Sequence, residues 1–451
     1  MDMPRNNTVV DRSSDDAPRP AAPFGPVDIS KRIASVDVMR GVALLGILVI
    51  NIIVFALPGM TLKNPLVAGG FHGADFVTWL VSYLLFYHKF MPVFSMLFGA
   101  GLVLMSDRAE ASGRPLWRVY YRRILWLLVF GLAHGYLLWV GDILYSYAIC
   151  GLLLYPLRRL SGRKLIVISL IVYLIGVPMI IGSGIYFVSL KGEVAEMKSV
   201  LERGGTLTER QERMRGRWEE MRSNFDPTPE EVSSEIEIYR DGYWGIVKHR
   251  APRALMMQTM VMLFLVLWRV GGLMILGMGL MKLGVFSAGR SLRFYVTCIL
   301  AGYGIGLLIV AFGASRLIEN NFDFIYLFGS GGLYNYGGGV LVALGHIGVV
   351  MIVCKSGLLR ELKKRLAAVG RMALTNYLMH TVICTAIFFG YGLGLFGKIG
   401  RFGLMGFVLG IWILQLMVSP IWLRYFRFGP MEWLWRTLTY GFKQPIRLKG
   451  R

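Results

Sequence analysis

Apolar runs of 17 to 30 residues recur along the chain, separated by short segments in which Lys and Arg collect. A helix needs about 20 mostly apolar residues to cross a bilayer core of about 30 Å. The pattern therefore predicts spans at 38–57, 75–105, 121–140, 142–157, 165–190, 254–281, 291–315, 333–354, 372–390 and 402–423. The expected fold is all-α, a polytopic membrane bundle of about ten helices. The 75–105 run is too long for one perpendicular crossing and contains His88-Lys89-Phe90-Met91-Pro92, which predicts a tilt or a kink at the proline. The implied organisation is a disordered tail over 1–31, with five prolines in its first 30 residues, a bundle over 32–190 and a polar loop over 191–253. A second bundle over 254–425 and a basic tail over 426–451 follow.

Charge sets the orientation. The segments that face inward if the N-terminus is cytoplasmic hold thirty Lys and Arg, while the short outward loops hold four, Lys63, Arg316, Lys398 and Arg401. Cytoplasmic loops carry the excess of basic residues, so both termini are expected inside and the 191–253 loop outside. That loop has twelve basic and thirteen acidic residues with helical character from Glu193 to Arg222. It predicts either a solvated hairpin on the bundle or a lid over an outward opening.

Composition agrees with a membrane chain: 451 residues, 55% hydrophobic, 17% charged, mean hydropathy +0.55. The net charge of +22 would suggest nucleic acid in a soluble protein. Here the basic residues flank the apolar runs, so charge reads as topology and no nucleic-acid partner is expected. Membrane lipids are. Cys150, Cys298, Cys354 and Cys384 lie in or beside apolar runs without metal or redox spacing. The six histidines show no metal spacing either, so no metal is expected. The glycine-rich stretches Phe98–Gly101 and Gly271–Gly279 lie within spans and read as close-packing devices, since no strand precedes them as a nucleotide loop requires.

Ionisable groups at membrane depth are costly and usually face the bundle interior. Asp37, Arg40 and Asn51 lie on the first span, His88 and Lys89 within the second, and His134 and Asp142 at the hairpin from the third to the fourth. Arg269 is mid-span in the sixth, His346 lies in the eighth, and Asn376 and His380 share a face of the ninth. If these faces converge, they form a polar shaft, cationic inside through Arg40, Arg122, Arg123, Lys89 and Arg269, with histidine in its outer half. Such a shaft suits an anionic ligand such as a phosphate-bearing cofactor, with imidazole as a base that titrates near neutrality. Each group also has a plain role: Arg40, Arg122 and Arg123 as headgroup anchors, Asp37–Arg40 as a local ion pair, Lys89 or Arg269 as a partner for Asp142, His346 as a core histidine bonded to a carbonyl.

Three groups of motifs resemble the bacterial YeiB-type membrane family. They are Ser35-Val36-Asp37-Val38-Met39-Arg40-Gly41 followed by Asn51, Phe94-Ser95-Met96-Leu97-Phe98-Gly99 and Gly131-Leu132-Ala133-His134 running on to Asp142, and Gly370-Arg371-Met372-Ala373 with Phe428-Gly429-Pro430-Met431-Glu432-Trp433. The last two stretches are similar to that family's C-terminal domain of unknown function. The family is similar in its first spans to transmembrane acyltransferases, a group that includes heparan-glucosaminide N-acetyltransferase.

The resemblance implies acyl transfer across the bacterial inner membrane, from cytosolic acyl-CoA (acetyl-CoA) to a small-molecule, glycan or lipid acceptor outside. CoA phosphates would meet Arg40, Lys89, Arg122, Arg123 and Arg269. His134, oriented by Asp142, would be the base or acyl carrier, and Asn51, Asn376 and His380 would line the acceptor side. In the eukaryotic enzyme the active histidine lies in the loop between the first two core spans. His72 is the nearest histidine here, at a spacing that does not match. The alternative is a transporter or flippase of a small anionic or amphipathic molecule, using the same shaft as its path. A second copy of the chain is kept among the candidate partners.

Overall fold

The computed structural model describes residues 33–448 except Ser112 and Arg114; the tail expected over 1–31 lies outside the described residues. The described chain is helical throughout and forms no strand, only a lone antiparallel bridge between Phe426 and Arg447. In order come α1 (Ala34–Ala56), α2 (Gly73–Leu85), α3 (Phe90–Ala111), α4 (Trp117–Ala133) with a π-helical turn at His134–Leu138, and α5 (Leu144–Leu154). Then α6 (Gly162–Leu174), α7 (Gly176–Glu202), α8 (Glu209–Phe225), α9 (Pro229–Arg240) and α10 (Tyr243–Met256) lead through a π-helical stretch into α11 (Leu267–Lys282). The chain ends with α12 (Leu292–Ile299), α13 (Leu307–Glu319), α14 (Phe324–Phe328), α15 (Ser330–Lys355), α16 (Arg360–Arg371), α17 (Ala373–Phe388), α18 (Arg401–Tyr425) and α19 (Pro430–Tyr440).

Among the described residues, seven helical runs are long and apolar enough to cross a bilayer: 34–56, 73–111, 162–202, 243–282, 292–319, 330–355 and 401–425. Their outward faces are apolar. Val167, Leu170, Ile171 and Leu174 on α6, Leu308 and Phe312 on α13, and Leu409, Ile413 and Ile421 on α18 are all exposed. Such a surface is stable only where hydrocarbon replaces water, because helices satisfy their backbone internally. The helices at the other expected spans, α4 with its π turn, α5 and α17, are shorter.

α11 is the central strut, packed on α3, α5 and α6, while α1 packs on α3, α16, α17 and α18. The crossing of α3 and α11 depends on glycine. A Cβ on Gly99 would overlap the Met274 carbonyl, and one on Gly277 would overlap the Met96 carbonyl. The packing reading holds for Gly99, Gly272, Gly277 and Gly279, while Gly101 and Gly271 leave room for a Cβ.

The second expected span is not bent at its proline. It breaks at Phe86–Lys89, where His88 takes a left-handed φ of 62°. Pro92 falls in the first turn of α3, where a missing N–H costs nothing because no carbonyl four residues back awaits it. The chain between the expected fifth and sixth spans is largely helical. α7 continues to Glu202, and Thr208 with Gln211 and Thr228 with Glu231 form capping boxes at the starts of α8 and α9. Trp218 and Phe225 of α8 pack on Phe187, Phe324 and Phe328, so this hairpin rests on the bundle at α14. The basic segment before the ninth expected span is α16, lying against α1 and α18.

Candidate functional site

Where α4 ends, its ladder widens to a π turn, closed by Trp139 N–H donating to the His134 carbonyl at 2.8 Å. Such insertions are frequent at functional sites. The last carbonyls of a helix need donors, and Arg250 of α10 supplies them, reaching the carbonyls of Leu138 at 2.6 Å, Leu137 at 2.5 Å and Tyr136 at 3.4 Å. Gly131 lets the α5 start approach, since a Cβ there would strike the Tyr145 backbone.

That approach brings Asp142 onto His134. Asp142 Oδ1 lies 2.8 Å from His134 Nδ1, while Oδ2 accepts the Tyr145 N–H at 2.7 Å. One carboxylate thus holds the imidazole and the first turn of α5. The other ring nitrogen, Nε2, lies 2.9 Å from Thr381 Oγ1 on α17. His134 and Thr381 are fully buried. An ionised carboxylate only accepts, so Nδ1 carries a proton, and in the neutral imidazole Nε2 is then the acceptor for the threonine hydroxyl. Tyr377, one turn earlier on α17, sets its ring 5.3 Å from the imidazole and accepts the Ile143 N–H at 3.3 Å.

On the side of the bundle where α1 begins lies a cavity of about 170 Å³ whose lining includes Tyr377 and Ile143 but not His134, Asp142 or Thr381, which sit behind Tyr377. Its deep wall is Tyr377, Ile143, Tyr147 and Phe94, and its shaft is apolar through Leu97, Phe98 and Leu127. Its charged lining is Arg40, Arg123, Arg371, Arg436 and one acid, Glu432. Arg123 lies 3.9 Å over the Trp435 ring, and Arg40 pairs with Asp37 at 3.2 Å. Glu432 is spent as a cap: it accepts the N–H groups of Leu374 at 2.6 Å and Thr375 at 3.0 Å, and the Thr375 hydroxyl at 2.6 Å. Burial pushes its carboxyl above the usual range, against the pull of those hydrogen bonds.

Of the cations expected on one shaft, only Arg40 and Arg123 line this cavity. Arg122 turns outward into a surface groove, donating to the Thr439 carbonyl at 3.5 Å. Lys89 is wholly enclosed at the α2–α3 break, where its ammonium takes the Tyr83 carbonyl at 2.7 Å and Asn335 Oδ1 at 2.8 Å. Arg269 stands over the Tyr336 ring at 5.1 Å, outside the cavity. Neither pairs with Asp142. His346 Nε2 meets the Leu85 carbonyl at 2.9 Å. His72 is exposed at the start of α2.

Asn376 and His380 are buried in a polar ladder to α18: His380 Nε2 lies 2.9 Å from Gln415 Oε1, Gln415 donates to the Asn376 carbonyl at 3.0 Å, and Asn376 donates to Ser419 Oγ at 3.0 Å. Asn51 is half-buried on α1. Among the described residues no cluster of His, Cys, Asp and Glu could hold a metal. Thr381, Tyr377, Arg371, Arg436 and Arg250 are not among the site residues expected from the sequence, although Arg371, Tyr377 and Arg436 lie in or just beyond the family-like motifs. The arginines sit in segments that read as topology, and nothing in spacing ties Thr381 to a histidine 247 residues away.

Residues 280–442 match the family described as "Protein of unknown function (DUF418)". The chain is 30% identical to the uncharacterized protein YeiB of Escherichia coli, over 91% of this chain and 96% of the relative. It is also 30% identical to the uncharacterized protein YxaH of Bacillus subtilis, over 94% and 98%. An uncharacterized 39.9 kDa protein of Bacillus acidopullulyticus is 26% identical over 94% and 98%. No solved structure matches.

Proposed function

This chain belongs to the YeiB family of membrane proteins, and on that premise we propose that it is an acyltransferase of the bacterial inner membrane. In this reading ten helices cross the membrane, both termini are cytoplasmic, and acyl-CoA enters from the cytosol. The observation that carries the reading is one cavity: arginines line it, an apolar shaft follows, and Tyr377 in its wall touches the His134–Asp142 pair. Arginine forks suit phosphate, and an apolar channel suits the pantetheine arm and acyl chain. The cavity is smaller than the about 300–1,000 Å³ of sites that enclose a drug-sized ligand. It would hold a slender arm, with the nucleotide end at the basic face.

His134 is then the base for an acceptor hydroxyl or amine, with Asp142 holding the tautomer that leaves Nε2 able to take a proton. The acceptor would come from the opposite side, where Trp139 stacks on Phe55 at 4.1 Å beneath Tyr239, Ile246 and Phe388. That layer closes His134 from outside and would have to part for delivery.

The test is direct. Purified full-length protein is titrated calorimetrically with acetyl-CoA and followed for release of free CoA thiol. R123A and R436A should each weaken binding about 10- to 100-fold, as expected for a lost charged hydrogen bond of about 1.5–3 kcal/mol. Absence of acetyl-CoA binding by the wild type overturns the reading.

A further inference from the structure

Four candidate features remain outside this account: the enclosed Lys89–Asn335 contact, the α17–α18 polar ladder, the Arg250 clamp and the Thr381 hydroxyl. The last is carried furthest by geometry. Threonine in a helix ordinarily turns its hydroxyl back to a carbonyl three or four residues earlier. Thr385, one turn further along α17, does so, donating to the Val382 carbonyl at 3.4 Å. Thr381 instead points across the bundle to His134 Nε2 at 2.9 Å, and His134 Nδ1 meets Asp142 at 2.8 Å. Both ring nitrogens are therefore engaged. Before any acyl group is loaded, the hydroxyl within reach of Nε2 is that of Thr381. A hydroxyl on a histidine whose far nitrogen is held by a carboxylate is the constellation of an activated nucleophile.

We propose that Thr381 is the covalent acyl carrier of this protein, a step that rests on the acyl-transfer reading above. Thr381 Oγ1 attacks the thioester carbonyl as its proton passes to His134 Nε2. The carbon–sulfur bond breaks, the sulfur leaves as thiolate and takes the proton from the imidazolium, and an ester remains on Thr381. In the second half an acceptor hydroxyl gives its proton to Nε2 and attacks the ester. The bond to Oγ1 breaks, and Oγ1 recovers the proton. Tyr377, in the cavity wall one turn before Thr381, must swing aside to admit the thioester. The relay suits a two-sided reaction, because CoA can leave from one face before the acceptor enters from the other.

The experiment mixes purified full-length protein with acetyl-CoA labelled in its acetyl group, without acceptor. Samples are quenched in acid and mapped by peptide mass spectrometry. The label should sit on the Thr381 peptide as an ester, stable to neutral hydroxylamine and removed by strong base. It should be retained in T381S, absent in the near-isosteric T381V, and formed at least about 100-fold more slowly in H134A. Unchanged acetyl-CoA binding by T381V shows that this variant is folded. Label on His134, or full turnover in T381V, overturns the carrier role and leaves His134 acting on the acceptor itself. Failure of the wild type to bind acetyl-CoA overturns the acyl-transfer reading and this step with it.

Discussion

Lys89, at the break between α2 and α3, and Arg123, on α4, are both basic residues within apolar runs, and the structure gives them opposite surroundings. Lys89 is sealed in, its ammonium holding the Tyr83 carbonyl and Asn335. Arg123 faces the cavity from beneath Trp435. K89M should therefore lower the melting temperature in detergent while leaving acetyl-CoA affinity unchanged. It strands two buried acceptors, each worth about 1–3 kcal/mol. A selective loss of binding in K89M at unchanged stability would show that Lys89 serves the ligand instead. H134A should also leave binding intact, but it should reduce CoA release by about 100-fold or more. D142N separates orientation from capacity: it keeps an acceptor for Tyr145 N–H but lets the imidazole take the wrong tautomer. It should bind acetyl-CoA normally and turn over far more slowly.

Among elements, the α4–α5 hairpin positions the site. Gly131 sets how closely the two helices meet, His134 begins the π turn and meets Asp142, and Arg250 holds the carbonyls the turn exposes. G131V should part the helices and cost turnover more than binding, because the cavity arginines are on other surfaces of α1, α4, α16 and α19. Activity of G131V equal to wild type would show that the close approach of α4 and α5 does not set the geometry of His134. G277A tests the α3–α11 crossing. Its added methyl meets the Met96 backbone, which cannot move without moving the helix, so the yield of folded protein should fall sharply with no selective effect on binding. Glu432 links α19 to the start of α17. E432A removes that cap, typically about 0.5–2 kcal/mol, and should loosen the helix that carries Tyr377 and Thr381.

For the whole molecule, the basic cavity and the closed aromatic layer lie on opposite sides of His134. With the orientation proposed here, single cysteines in 209–240 should react with an impermeant reagent added outside, and those in 360–368 should not. Reaction of the 360–368 positions from outside would invert the map and put the arginine mouth on the wrong side for cytosolic CoA. The transport reading makes a separate demand, that the layer of Phe55, Trp139 and Tyr239 open in alternation with the cavity. A disulfide tying α9 or α10 to that layer would then stop movement of substrate, whereas acetyl-CoA hydrolysis in the acyltransferase would continue.

Much was legible in order along the chain. Apolar runs of bilayer length place the helices, since a helix in lipid is decided by local composition and backbone satisfaction. His134 and Asp142 were readable as a pair because they are eight residues apart across a glycine-flanked hairpin, and the Asp37–Arg40 pair lies within one helical turn. What the sequence could not decide is which of its polar residues meet. A single shaft through Arg40, Lys89, Arg122, Arg123 and Arg269 is a sum over helices whose rotation the chain order does not state. Rotation is set by packing, where glycine lets backbones touch and bulk keeps them apart. That packing sends Arg122 outward, shuts Lys89 into a helix break, and gathers Arg371, Arg436 and Thr381 from the far end of the chain. The sequence by itself determined a membrane bundle with a histidine–aspartate hairpin; only the tertiary structure decided what that hairpin faces, because contacts between distant helices depend on geometry that no local pattern encodes.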